Sequence, residues 1–352
     1  MRLEDLRSEV GIALRRFLDA ALQHLRDAAP SLAENAAVLD NLADRGKRIR
    51  PLLVLTGHRL VTGDHEPAMG PALATELLHL CALLHDDVID AATTRRGHPS
   101  FHVSVADRHR AAGWPGDADA HGRAAAILFG DLALVLADEV FFDSRLPADQ
   151  LIAAHRVFSS MKEEVMRGQS LDVEAAARGA ASIDEALAIA RDKSGRYTIR
   201  RPVEIGASLG GAPPAVLAAL GAWAEPLGVA FQLTDDLLGV FGDAAVTGKD
   251  PTTDLREGKR TVLVAETLRA VPFDVAERFN ALLGDDGIDE VEVDWLRRTI
   301  TQSGAADAVR SRVRALVNDS WRALAALDGL ALDETGLALL REATDEVADR
   351  TH

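Results

Sequence analysis

The chain has 352 residues, 47 % hydrophobic and 4 % aromatic, with a formal charge of −16. That length suits one large domain or two ordinary ones, and the acidic balance argues against nucleic acid or an anionic membrane surface as partner. A single cysteine, Cys81, excludes an intramolecular disulfide and a cysteine-built zinc site, and fits a reducing compartment. The start, Met1-Arg2-Leu3-Glu4-Asp5, lacks the apolar core of a signal peptide, and no uninterrupted apolar run reaches spanning length. The expectation is a cytoplasmic protein with no transmembrane segment.

Abundant Ala and Leu, with few runs of Val, Ile and Thr, predict helices. Residues 4–29 form an amphipathic helix, with Leu6, Val10, Leu14, Phe17, Leu18, Ala21, Leu22 and Leu25 recurring at three and four. A short helix over 32–42 follows, then the basic turn Gly46-Lys47-Arg48-Ile49-Arg50-Pro51, with Pro51 in the first turn of the next helix. The helix after Pro67 runs through Leu77-Leu78-His79-Leu80-Cys81-Ala82-Leu83-Leu84-His85 and ends in Asp86-Asp87-Val88-Ile89-Asp90. Residues 93–99 form a basic turn and 101–122 a long loop, with His98, His102 and His121 at the surface. Helices resume at about Arg123 and again at Pro147. Ser182-Ile183-Asp184-Glu185 has the form of a capping box, and Pro202 kinks or restarts the helix it opens. Pro213-Pro214 opens an apolar helix that carries Asp235-Asp236 near its end, and four or five further helices follow a polar loop over 242–259. No clear strand, repeat or linker stands out. The fold expected is one all-α domain over residues 1–352, a helical bundle with an apolar cavity.

Two apolar helices thus deliver carboxylates at their C-terminal ends, where the helix dipole prefers cations. On a helix Asp86, Asp87 and Asp90 share one face, and their repulsion calls for a counter-charge. Mg²⁺ fits, because it takes oxygen ligands from one or two carboxylates plus substrate phosphates. The bases match such a substrate: Lys47 and Arg50 in the first turn, Arg95 and Arg96 beyond the first acidic group, and Lys193, Lys249 and Lys259 in the second half. Taken singly, Lys47 and Arg48 read as solvated charges, and His79 as a core histidine. No P-loop, nucleophile elbow or His-Glu-x-x-His stretch is present. What remains is diphosphate held by Mg²⁺ above an apolar helical cavity, which suits loss of diphosphate from a hydrocarbon substrate.

With these blocks in this order the sequence resembles the trans-isoprenyl diphosphate synthases, the polyprenyl synthetase family. The matching stretches are Gly46 to Pro51, Glu76 to Asp90 with Arg95-Arg96-Gly97, Gly168-Gln169-Ser170-Leu171-Asp172, Lys193-Ser194-Gly195, Phe231-Gln232 to Asp236, and Gly248-Lys249 to Lys259. The resemblance implies the isoprenoid synthase fold, a homodimer, and head-to-tail condensation of isopentenyl diphosphate with dimethylallyl, geranyl or farnesyl diphosphate. It implies that Asp86, Asp87 and Asp90, with Asp235 and Asp236, hold Mg²⁺, three ions with substrate bound. Arg95, Lys193, Lys249 and Lys259 would contact the allylic diphosphate, and Lys47, Arg50, His79 and Arg96 the isopentenyl diphosphate. Gln232 and Ser194 would line the reacting centre, and Gln169 belongs to a matching block as a substrate-binding candidate. The 4–29 helix would lie at the dimer or outer layer.

Three departures stand out. Gly239 replaces the usual third aspartate of the second motif, with Asp243 as a candidate to compensate; Lys193-Ser194 replaces a Lys-Thr pair; and the Lys249–Lys259 spacing is shifted. Cys81 and Ala82, both small, form the first floor under the growing product, with Phe141, Phe142 or Phe158 deeper. They favour a twenty-carbon product, geranylgeranyl diphosphate, over farnesyl diphosphate or a longer one. A terpene cyclase would need no isopentenyl site, and a non-catalytic partner subunit would lose acidic residues; the first is told apart by its cyclic hydrocarbon, the second by absence of turnover.

Overall fold

The helical period runs through the computed structural model, which describes residues 1–44, 46–95, 97–242, 253–285 and 287–349. The chain divides into two compact units, one of Met1–His155 with Ile205–Gly210, the other of Arg156–Glu204 with Gly211–His352.

In the first unit the helices are α1 (Leu3–Ala21), α2 (Gln23–Ala28), α3 (Pro30–Ala43), α4 (Ile49–Thr62), α5 (Met69–Ile89), α6 (Phe101–Ala111) and α7 (Ala118–Phe141). The amphipathic stretch read over 4–29 is two helices, parted at Leu22, and Leu6, Val10, Leu14 and Leu18 form the buried stripe of α1. Each such leucine stabilises the fold by about 1.5–3 kcal/mol relative to exposure. The helices α5 and α7 lie antiparallel at close range. A side chain on Gly130 would strike the His85 ring, and one on Gly70 the carbonyl oxygen of Val140.

The loop expected over 101–122 is mostly helix. Phe101, Val105, Ala106 and His109 form the buried face of α6. Their spacing is helical, but a buried histidine and an outward face of Asp107, Arg108 and Arg110 disguise the period. Only 112–117 links the helices. There Asp117 caps α7, its carboxylate accepting from the amides of Asp119 and Ala120 at 2.9 and 3.0 Å. His102 is half-buried on α6, whereas His98 and His121 are exposed as expected. A two-residue hairpin, β1 (Thr94–Arg95) and β2 (His98–Pro99), occupies the expected basic turn.

The remaining helices are α8 (Ala148–Arg178), α9 (Ile183–Ile189), a π-helix (Ala190–Arg200), α10 (Arg201–Leu209), α11 (Pro214–Phe241), α12 (Thr253–Arg256), α13 (Val262–Ala270), α14 (Phe273–Leu282), α15 (Glu290–Gln302), α16 (Ala305–Leu327) and α17 (Glu334–Asp349). Most lie in the second unit, with the start of α8 and the end of α10 belonging to the first. The capping box forms at Ser182, whose hydroxyl accepts from the Glu185 amide while Glu185 accepts from the Ser182 amide. Pro202 does not interrupt the helix it lies in; it marks a change of winding. The Arg201 amide bonds the carbonyl of Arg196, five residues back. Pro202, the next residue, has no N–H to continue that pattern, and the winding returns to α in α10 without a break in the helix. Trp223 is fully buried on α11; its indole N–H donates to Thr344 Oγ1 at 3.0 Å and its carbonyl accepts from Ser320 at 2.9 Å, tying α11 to α17 and α16.

Two stretches, Glu66–Ile89 and Pro214–Phe241, are long and apolar enough to cross a membrane by length and composition. They are the two that end in aspartates, and 67 % and 56 % of their apolar windows are buried inside the protein.

Candidate active site

At the end of α5 the chain folds back on its own carboxylates. The Asp90 amide closes the last turn on the Asp86 carbonyl at 2.8 Å, Ala91 takes φ +50°, and the Ala92 amide bonds the Asp87 carbonyl at 2.9 Å. The β1–β2 hairpin thereby brings Arg95 over the cluster. Its Nε donates to Asp87 Oδ1 at 2.7 Å, its Nη2 reaches the same oxygen, and Asp86 Oδ2 lies 3.9 Å away. The Asp87 side chain is 1 % exposed, and its second oxygen, Oδ2, has no hydrogen-bond partner. Burial pushes the Asp87 carboxyl up from the ordinary range, Arg95 opposes, and Asp86 adds repulsion. Asp86 and Asp90 stay half-buried.

Immediately before the cluster, His85 Nε2 lies 3.1 Å from the Ile127 carbonyl of α7, and its Nδ1 lies 3.8 Å from Sγ of Cys81, one turn earlier. Cys81 thus faces the packed side of α5, its thiol pushed up to about 11 by burial and by the Asp131 charge, while Ala82 is half-buried. Phe141 and Phe158 are fully buried and Phe142 is half exposed. His79 borders a cavity with Leu14, Leu42, Ala43, Glu76 and Leu80. Beside it Arg48, in a left-handed conformation at φ +55°, donates to Glu76 Oε1 at 2.9 Å and to the Ala43 carbonyl at 2.6 Å. This pair is buried, so Arg48 is the internal anchor of the basic turn, where a solvated charge was expected. Lys47 is exposed, with its carbonyl held by Arg7 Nε at 3.0 Å, and Arg50 is half-buried.

In the second unit, Lys193 and Ser194 ride on the π-helix, both half-buried. Lys193 Nζ donates to Asp172 Oδ2 of α8 at 2.6 Å, one turn beyond half-buried Gln169. On α11, Gln232 Nε2 donates to Asp236 Oδ1 at 2.6 Å. Asp236 is buried, and its carboxyl is pushed up to about 8, chiefly by burial; Gln232 and Lys259 oppose, while Asp254 and Asp235 add repulsion. Asp235 is half-buried. Lys259 Nζ bridges Asp254 at 3.0 Å and Glu257 at 2.6 Å. A Cβ on Gly239 would lie 1.8 Å from Asp254 Oδ2. The carboxylate of Asp254 therefore enters the space beside Gly239, the position of the absent third aspartate.

Sequence reasoning placed Asp172 in a matching stretch without giving it a role, and gave Asp254 none. The signal for Asp172 was its i,i+3 spacing from Gln169; for Asp254 none existed, since its approach is tertiary. Arg96, Lys249 and Asp243 lie outside the described residues. Among the described residues no three metal-type side chains converge closely enough to hold an ion unaided. The donors present are all carboxylate oxygens, which suits a hard cation completed by substrate phosphate. Asp87 Oδ2, buried and without a partner, fits an oxygen that awaits a positive charge.

Residues 33–300 match the profile of the polyprenyl synthetase family. The chain belongs to this family. It is 37 % identical over 223 residues to the (2E,6E)-farnesyl diphosphate synthase of Mycobacterium tuberculosis, a match covering 63 % of this chain and 57 % of that enzyme, little more than half its length. It is 31 % identical over 311 residues to the geranylfarnesyl diphosphate synthase of Aeropyrum pernix, covering 87 % and 90 % of the two chains. The crystal structure of a geranylgeranyl pyrophosphate synthase from Corynebacterium glutamicum, complexed with isoprenyl diphosphate and magnesium, superposes with a TM-score of 0.93 at 35 % identity, covering 99 % of this chain and 100 % of that one. The fold is the all-α isoprenoid synthase fold of such neighbours.

Proposed function

We propose that this chain is a Mg²⁺-dependent prenyltransferase that joins isopentenyl diphosphate head to tail with an allylic diphosphate and releases a short-chain trans-prenyl diphosphate, foremost geranylgeranyl diphosphate. The observation that carries the reading is the end of α5, where Arg95 binds Asp87 through one oxygen and leaves the other, buried, unbonded. A carboxylate oxygen in that state costs about 1–3 kcal/mol until a cation satisfies it.

In this reading Asp86, Asp87 and Asp90 hold Mg²⁺ against the allylic diphosphate, and Asp235 and Asp236 hold a further ion, three in all. Asp254 stands in for the third aspartate of the second motif. When bound, the metal supplies Lewis-acid neutralisation of the diphosphate charge. Arg95 and Lys193 add hydrogen bonds that strengthen as the diphosphate leaves, and Lys193 exchanges its Asp172 partner for phosphate oxygen. Gln232, held by Asp236, orients the amide that faces the reacting carbon. Lys47, Arg50, His79 and Arg96 bind isopentenyl diphosphate, and Lys249 and Lys259 complete the allylic site. The departing diphosphate takes the final proton, so no side-chain base is needed. Half-buried Ala82 is the first floor under the product, beside Cys81.

One catalytic domain spans the whole chain, and it acts in the cytoplasm as a homodimer. An apolar stripe along α7 supports the dimer: Leu128 and Val135, 66 % and 63 % exposed, lie seven residues apart, and Phe142 continues the row. Relatives include a farnesyl and a geranylfarnesyl diphosphate synthase, so the length of the product is read directly in the assay. Incubation with Mg²⁺, labelled isopentenyl diphosphate and each allylic primer, followed by chromatography, tests the proposal. Elongated diphosphates support it. A cyclic hydrocarbon from the primer alone would overturn it, and no turnover with any primer favours a partner subunit.

A further inference from the structure

Behind Lys193 lies a closed circuit of charges within the second unit. Arg196 Nη2 donates to Glu225 Oε1 at 2.8 Å, and Arg200 Nη1 to Glu225 Oε2 at 2.8 Å. Arg200 Nε donates to Glu204 Oε1 at 2.8 Å, and Arg201 Nη1 to Glu204 Oε2 at 2.6 Å. Arg201 also grips Glu164 with two nitrogens, at 2.8 and 2.6 Å, and Arg196 Nη1 closes the circuit on Glu164 at 3.5 Å. Three arginines and three glutamates alternate, so the ring is neutral. A spur runs from Arg196 to Asp192 at 3.3 Å and on to Arg167 at 2.8 Å.

The ring has a specific mechanical setting. Arg196 and Arg200 stand on the π-helix, Arg201 and Glu204 on α10, Glu164 on α8 and Glu225 on α11. A π-helix of eleven residues is unusual, since this winding occurs mostly as single-turn bulges. Something outside the segment must hold it. Backbone contact does part of this: a side chain on Gly195 would strike the Gly228 backbone, and one on Gly168 the backbone of Lys193. The ring fastens the segment to α8, α11 and α10 together. Burial weakens solvent screening, and alternating signs leave each charge with two partners, the arrangement that best offsets the cost of desolvation.

We infer that the Glu164–Arg201–Glu204–Arg200–Glu225–Arg196 ring is a positioning device that holds the π winding and so aims Lys193 and Ser194 at the allylic diphosphate. The inference rests on the role given to Lys193 above. None of the six touches substrate; they act through the backbone that carries Lys193.

The double variant Arg200→Met/Glu225→Met tests it. It opens the ring yet leaves every remaining charge a partner: Arg196 keeps Glu164 and Asp192, and Glu204 keeps Arg201. Amide hydrogen exchange is followed over 190–200, with steady-state kinetics for both substrates. Exchange is expected to accelerate there and not in α5 or α7. Turnover against the allylic diphosphate is expected to fall roughly 10- to 100-fold, the effect of a displacement of about 1 Å at a reacting centre, while KM for isopentenyl diphosphate stays within about twofold. Unchanged exchange over 190–200 would overturn the inference, and so would an equal rise in both KM values with loosening throughout the unit. Should the double variant not fold, Arg200→Lys keeps the charge, removes the two-sided bridge, and is read by the same split. Lys193→Met is run in parallel. If it leaves the allylic KM unchanged, the reading of Lys193 fails, while hydrogen exchange still decides whether the ring holds the winding.

Discussion

Replacing Gly239 with alanine separates the role of Asp254 from the stability of the fold. The new Cβ would sit 1.8 Å from Asp254 Oδ2 and 2.7 Å from its Cγ. Because contacts under 3.0 Å are essentially never tolerated, the carboxylate must retreat by more than 1 Å. That retreat disturbs the Lys259 bridge, a partly exposed pair worth about 0–1 kcal/mol. Against it, alanine in a helix gains roughly 0.5–1 kcal/mol over glycine. The two nearly cancel, so unfolding free energy should change by less than about 1 kcal/mol. The metal requirement should not cancel. A displaced supporting carboxylate costs roughly 10–100-fold in metal affinity. Thermal melts and initial rates titrated with Mg²⁺ at fixed substrate measure the two effects separately. The expected result is a near-constant Tm without metal and a half-maximal Mg²⁺ concentration shifted upward by that factor. Asp254→Ala should reproduce the shift, and the double variant should add nothing to it, since both act through one group. A Mg²⁺ response identical to that of the parent protein would refute the substitution of Asp254 for the missing aspartate.

Asp236→Asn should raise the Tm of metal-free protein at neutral pH by several degrees while abolishing Mg²⁺-dependent turnover. The sign follows from linkage: a carboxyl pushed up to about 8 in the fold holds a proton that the unfolded chain has released, so metal-free stability falls as pH rises from the ordinary carboxylate range towards 8, and the variant flattens that slope. Arg95→Lys, assayed at saturating isopentenyl diphosphate, should raise the allylic KM roughly tenfold or more, because an ammonium replaces a fork that meets Asp87 with two nitrogens. Ala82→Phe should shift the product towards fifteen carbons, read by chromatography of the dephosphorylated alcohols; an unchanged product would remove Ala82 from the floor. Leu128→Glu/Val135→Glu should convert a dimer to a monomer in sedimentation velocity, because it places charge on the exposed stripe of α7.

Much of the candidate site was legible because its parts are local. Acidic residues ending two apolar helices, a basic turn before a proline and a capping box are read from spacings of three and four along one chain. The 101–122 segment was misread because its buried face includes His109 and its outward face is dense with charge, so composition masks the period. Arg48 looked like its solvated neighbour Lys47, but its backbone is left-handed and its guanidinium turns inward to Glu76.

The sequence alone determined the helical class, the two acidic helix ends, the bases that accompany them and the departure at Gly239. These follow from periodicity and residue chemistry, which short stretches carry by themselves. Tertiary structure decided what those residues do in space: Asp87 sealed beneath Arg95, Asp254 brought into the gap at Gly239, and the π winding held by a ring drawn from four helices. Partners in such contacts are separated by up to tens of residues, and no local propensity encodes their meeting. It arises when helices pack and buried charges must find opposite charges, because an unpaired one inside the protein costs more than the fold can spare.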